Sequence, residues 1–303
     1  MPVLKNAANP PEASSGPEKG RRTPGAAILA GHGPDAPQAF SNAGLPPWSL
    51  AAPSCVWPAD LGTNCAALAR HFPEIGLCFF ETAACLAYGE ADLPPGLAGL
   101  PLRWHLHLPL DLPWDQGPLA VAEIILALAE KVAGLAPWAY VLHPPPEPLH
   151  ADGPEQLDAL ALALAQGGLG PEALLVENIA GRDLERMWPV VRKLNLGVCL
   201  DLGHLLTHGQ EKFLDLPGLW AQTRMLHLNA PDPARPGRHA ALTTLDAAGH
   251  ALLGRMLAAF APGGTVVLEL FSPHELFASL RFLEGFRAEM AGRWRNGRKE
   301  DMA

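Results

Sequence analysis

Eight short apolar runs recur between residues 54 and 271 at the spacing of a βα unit, and six of them end on a hard polar side chain. Those exits are His107 in LRWHLHLP, His143 in YVLHPP, Glu177 in LLVENIAG, Asp201 in VCLDLGH, His227 in MLHLNAP and Glu269 in VVLELF. A buried parallel strand reads as a continuous apolar run. One histidine or carboxylate at its exit is what a barrel strand shows when it feeds a site on the C-terminal rim. The eight runs are residues 54–57, 76–81, 102–108, 139–143, 174–178, 197–201, 225–229 and 266–271. Amphipathic stretches lie between them, at 61–71, 120–133, 154–165, 184–194, 245–260 and 274–289. Gly-Pro-Glu at 153–155 and 170–172, and Ser272-Pro273, supply helix-start signals. This alternation predicts an α/β fold, a closed (β/α)8 barrel over residues 48–291. A doubly wound open sheet would carry a glycine-rich phosphate loop, and neither GxGxxG nor GxxxxGK occurs.

The flanks differ in kind. Residues 1–47 are rich in Pro, Gly, Ala and Ser without periodicity, and are expected to form a flexible extension. Residues 292–303 (GRWRNGRKEDMA) are expected to be a polar, frayed tail. A net charge of −9 argues against a nucleic-acid partner, because such affinity rests on clustered Lys and Arg. Five cysteines, with no CxxC pair, favour a reducing cytoplasm over a disulfide framework. No run approaches the length of a membrane span, so no membrane partner is expected.

The rim residues point to metal chemistry. Glu177, Asp201, His227 and Glu269 end candidate strands five to eight, where carboxylates buried without a partner would be costly. Sharing a divalent cation relieves that cost. His204 follows Asp201 by three positions and can face the same cavity. His208 lies one turn further, but Leu205 stands where a zinc-protease pair needs Glu, so His208 reads as a surface residue. His105 and His107 share one strand face; His107 is the site candidate and His105 the core histidine. With His143, His107 could hold a second metal or contact a phosphate. His239 sits in ARPGRHAAL, where Arg235 and Arg238 could clamp an anion. Asp111, Trp114 and Asp115 lie in a Pro-punctuated loop expected to act as a lid, and Glu81 suits either a helix start or a catalytic role.

The order His, His, Glu, Asp-x-x-His, His, Glu over strand ends three to eight resembles the xylose isomerase-like barrels, which include sugar isomerases, epimerases and endonuclease IV. That resemblance implies a central metal on Glu177, Asp201, His227 and Glu269. The endonuclease branch implies further zinc ions through His107, His143, His204 and His239. Gly237-Arg238-His239 departs from the Asp-x-His of that branch, which leaves a third zinc site one carboxylate short. A narrower likeness runs over about residues 53–280. The segments PSCVWPADLGTNC, GLCFFETAACLAYGEADLP, RWHLHLPLDLPWDQG, AYVLHPP, LLVENIAG, LGVCLDLGHLLTHGQ and MLHLNAP are similar to the cobamide-remodelling phosphodiesterases.

Family resemblance thus implies a small-molecule substrate, a cobamide whose nucleotide-loop phosphodiester is hydrolysed. The expected ligands are Glu177, Asp201, His227, Glu269, His107 and His143, with Glu177 bridging two divalent ions, Zn or Mn by donor type. His204 and His239 are expected to hold a further ion, orient water or protonate the leaving group, and Arg238 to stabilise transition-state charge. Two other readings stand beside this one: a metal-dependent sugar isomerase or epimerase, and a corrinoid-binding protein without catalysis.

Overall fold

The computed structural model describes residues 48–146, 152–182, 184–235 and 237–300, with side chains through 286. The expected extension over residues 1–47 and the last residues of the expected tail, 301–303, lie outside the described residues. Eight parallel strands close into a barrel: β1 (Ser49–Pro53), β2 (Glu74–Cys78), β3 (Arg103–His107), β4 (Tyr140–Leu142), β5 (Leu174–Glu177), β6 (Gly197–Asp201), β7 (Thr223–Leu228) and β8 (Thr265–Leu268). Each strand pairs in parallel with its sequence neighbours, and β8 closes the ring on β1 through Ser49–Thr265 and Leu50–Val266. Around it run α1 (Leu61–Leu68), α2 (Thr82–Ala87), α3 (Pro118–Lys131), α4 (Gly153–Gln166), α5 (Leu184–Lys193), α6 (Leu202–His208), α7 (Leu219–Gln222), α8 (Ala247–Ala259) and α9 (Pro273–Glu300). Among the described residues no helix is long and apolar enough to cross a membrane.

The core has two parts. A large cluster lies between strands and helices, with Leu106, Leu142, Val176, Leu200, Leu226 and Leu268 facing outward from the ring. A small one fills the interior: Ala51, Ala139, Val141, Leu175, Cys199, Met225 and Val267. Because side chains alternate along a strand, the residue two positions past an interior one also points inward. Val141, Leu175, Cys199, Met225 and Val267 are followed at that step by His143, Glu177, Asp201, His227 and Glu269. This parity places the polar exits in one layer above a dry plug.

A second polar layer closes the opposite end. Glu74, at the start of β2, is fully buried and takes His105 Nδ1–H at 2.9 Å, Trp138 Nε1–H at 2.8 Å and Thr265 Oγ1–H at 3.0 Å. Arg103 Nη1 lies 3.4 Å from its second oxygen and stacks its guanidinium 4.1 Å over the Trp138 ring. His105 is therefore a core histidine. Its ring fills the space beside Gly76, where an added Cβ would come within 2.4 Å of Nε2.

Most strand boundaries shift by a few residues, and two differences go further. The first strand is Ser49–Pro53 and not the run at 54–57. Asn64 explains the shift: its Oδ1 accepts the Val56 and Trp57 amides at 2.9 and 2.8 Å, which curls that run into a loop. At the other end, α9 continues to Glu300 through residues 292–300, expected as tail. Arg, Lys and Glu there are good helix formers and propagate an existing helix.

Candidate metal centre

Six strand ends deliver the central residues. Glu177 lies at the middle, completely buried. Its Oε2 is 3.1 Å from His107 Nε2 and 3.0 Å from His143 Nε2. Its Oε1 is 3.1 Å from His227 Nδ1 and 3.8 Å from His204 Nδ1. Glu269 lies across from it, with Oε2 at 3.3 Å from His227 Nδ1 and 3.4 Å from His239 Nδ1. His239 arrives from the loop after β7, which folds back through a two-residue antiparallel pairing, Ala230–Pro231 against His239–Ala240.

Three histidines are fixed in the same way. The Nδ1–H of His107 donates to Leu108 O at 3.0 Å, that of His204 to Asn178 O at 2.8 Å, and that of His239 to Glu269 O at 2.9 Å. A carbonyl can only accept, so Nδ1 keeps its proton in each, and Nε2 is the atom that offers a lone pair to a metal once deprotonated. Metal-ligating histidines are oriented by this kind of outer hydrogen bond.

Electrostatics show what the cluster demands. Burial pushes the Glu177 and Glu269 carboxyls up, but the histidines around them outweigh it and hold both well below the usual range. Burial pushes the His107 imidazole down, yet Glu177 and Glu269 hold it up to about 9. The Asp201 carboxyl is raised, because its burial exceeds what His204 and His239 offset. Three carboxyl groups buried together favour added positive charge, which a divalent cation would supply.

The donor set fits such ions. Within each of the groups His107–His143–Glu177, Glu177–Asp201–His227–Glu269 and Asp201–His204–His239, the ligand atoms lie within 4.8 Å of one another. Nitrogen and oxygen ligands bind zinc at about 2.0–2.2 Å, so ligands on opposite sides stand about 4 Å apart. Glu269 Oε2 is buried without a hydrogen bond, as a waiting ligand atom is. The third group matches the carboxylate shortfall in the sequence: Gly237 has φ +81°, a conformation in which an Asp would be strained.

Not every expected residue faces this centre. Arg238, expected to stabilise transition-state charge, instead spans Asp232 at 3.0 Å and Glu275 at 2.9 Å. Its charge is already matched, and it braces the loop that carries His239. Arg235 makes an exposed pair with Asp232. The expected lid after β3 is tied down: Asp111 accepts the Thr82 amide and hydroxyl at 2.7 and 2.8 Å, and Trp114 is buried. Glu81 stands at the start of α2 without capping it. His208 is exposed at the end of α6.

Sequence reading missed a supporting ring of amides. Asn229 Nδ2–H donates to Asp201 Oδ2 at 2.7 Å, while the His204 amide donates to Oδ1 at 2.6 Å. Asn178 Oδ1 accepts the Asp201 amide at 2.7 Å, and its Nδ2 donates to Asp201 O and Gln210 Oε1. Both asparagines follow a strand-end ligand within two residues, which is the signal that was available. Gly203 must stay bare, since a Cβ there would land 1.8 Å from Asn229 Oδ1. Asn229→Ala is expected to lower metal affinity about 10- to 100-fold, as loss of an outer partner commonly does. Equilibrium dialysis against zinc checks it; unchanged affinity would show that Asp201 is oriented without Asn229.

Fold and site together define a closed (β/α)8 barrel with a histidine–carboxylate cluster at its mouth. No protein-family model matches the chain, and no curated protein matches it. Among solved structures, it is similar to a D-tagatose 3-epimerase-like protein at 16% identity and TM-score 0.61, over 81% of this chain and 99% of that one. An L-ribulose 3-epimerase aligns at 14% identity and TM-score 0.58, over 82% and 97%. A xylose isomerase domain protein from Planctomyces limnophilus aligns at 14% identity and TM-score 0.55, over 82% and 99%. Identities this low carry the fold alone. Those three are an epimerase-like protein, an epimerase and a xylose isomerase domain protein; none of the three is a phosphodiesterase.

Proposed function

We propose that this protein is a divalent-metal-dependent phosphodiesterase whose substrate is the nucleotide loop of a cobamide. One observation supports hydrolysis over epimerisation: the rim holds more ligand-grade groups than one cation needs. Glu177, Asp201, His227 and Glu269 are a full set for a central ion, yet His107 and His143 still converge on Glu177. His204 and His239 do the same beside Asp201. Phosphoryl-transfer sites use paired cations in this way, whereas one ion can suffice to stabilise an enediolate. The cobamide itself rests on the sequence resemblance.

Bound there, divalent ions supply Lewis acidity toward a phosphoryl oxygen and toward water. The chain's own residues do the rest. Glu177 offers one oxygen to each of two histidine groups and so fixes their separation. His227 is held between Glu177 and Glu269. His204 and His239 are anchored through Nδ1, which leaves Nε2 to hold an ion or, in the imidazolium form, to deliver a proton to a leaving alkoxide. The floor of interior apolar residues excludes water from below.

The second reading, a sugar epimerase, is favoured by the solved structures and uses the central set alone. Metal analysis and product analysis separate the two. Incubation with cobalamin and pseudocobalamin, followed by chromatography and mass analysis, is expected to show cleavage of the nucleotide loop that a chelator abolishes. Metal content is expected to exceed one ion per chain. One ion per chain, intact cobamides and turnover of free ketoses would establish the epimerase instead.

A further inference from the structure

The described part of the chain leaves five large apolar side chains well exposed, and three of them gather at the mouth. Phe80 follows β2 and is 45% exposed, Phe271 follows β8 at 41%, and Leu110 follows β3 at 48%. The Leu110 amide donates to Phe80 O at 3.2 Å, which fixes those two strand exits side by side. The Phe80 and Phe271 rings meet edge to face with centroids 5.9 Å apart. From Phe271 the series continues inward: its ring lies 5.6 Å from His239 at an interplanar angle of 33°, and His239 lies 5.8 Å from His204. Rings therefore run without a break from the metal centre to solvent.

Phe80 and Phe271 thus leave apolar area open to water at the site mouth, area that a ligand can cover. Apolar patches joined to a polar site commonly mark where a ligand rests. We infer that Phe80 and Phe271 form a stacking shelf for a flat heteroaromatic ring of the substrate, joined to the phosphate handled by the metal centre. An aromatic face accepts any planar base, because every base has a π-face, and the neighbouring Phe edge limits its slide. The shelf begins at His239, so the ring belongs to the part of the substrate adjacent to the scissile phosphate. This inference deepens the phosphodiesterase reading and rests on it for the phosphate.

Two inert probes test the shelf without turnover: adenosine monophosphate, which carries a base, and ribose monophosphate, which does not. Calorimetric titration of the metal-loaded protein is expected to show preference for the nucleotide. Phe271→Leu is expected to weaken the nucleotide roughly tenfold and leave ribose monophosphate unchanged, while Phe271→Trp keeps the preference. Equal affinity of wild type for the two probes, including binding of neither, overturns the shelf. So does an equal loss for both in Phe271→Leu. The hydrolase reading fails separately: a nucleotide preference lost in Phe271→Leu, with cobamides left intact, would keep the shelf and reject the phosphodiesterase.

Discussion

Replacement of Glu177 by alanine is expected to abolish turnover, with a loss on the order of a thousandfold or more. The magnitude follows from position. Metal polarisation of a phosphoryl group is worth several kcal/mol, and each 1.36 kcal/mol is tenfold in rate. Glu177 serves both ligand groups, one oxygen turned to His107 and His143 and the other to His227. Its removal strips two cation sites at once. Wild type is expected to gain Tm on adding zinc or manganese, through preferential binding to the folded state, and Glu177→Ala is expected to lose that gain. His208→Ala serves as the control, being exposed at the end of α6. Activity and metal-induced stabilisation both retained in Glu177→Ala would place the chemistry elsewhere.

Glu74→Ala is expected to destabilise the fold by about 3–5 kcal/mol, with Tm lower by on the order of 10 °C. The carboxylate is fully buried and serves His105, Trp138, Thr265 and Arg103. Its loss strands several of those donors in a space without water. The same residue sets an acid limit. Burial pushes its carboxyl up, but His105, Trp138 and Arg103 outweigh that and bring it down to about 2 from an ordinary 4.5. A depressed carboxyl contributes stability above the unfolded value and loses it as pH falls toward the folded one. About 3 kcal/mol is therefore expected to disappear between pH 4.5 and 2 in wild type. Urea midpoints measured across that window for wild type and Glu74→Gln check it, and parallel curves would remove Glu74 as the cause.

Much of the barrel was legible because its strands are buried on both faces. The β6 boundaries at 197–201 agree residue for residue, and the other later strands agree within a few positions. The site residues were legible for the same reason: a carboxylate or histidine interrupting an apolar run stands out, and strand parity sends it inward. What failed depends on contacts that a local pattern does not contain. The run at 54–57 looks like a strand, but Asn64 curls it from seven residues away. Arg238 looks free beside His239, yet Glu275, far along the chain, claims its guanidinium. Asn178 and Asn229 end the runs 174–178 and 225–229, one and two residues past a ligand, but only their bonds to Asp201 show what they do there.

The central carboxylates and imidazoles are spread over six strands, and no two neighbouring turns of the chain hold a complete set. The set Glu177, Asp201, His227 and Glu269 is therefore complete only once β8 has docked on β1 and brought Glu269 opposite Glu177. A cation held by that set would seal the closure of the ring. A refolding experiment with cobalt(II) should colour only in its final phase, after helices and early strands have already formed.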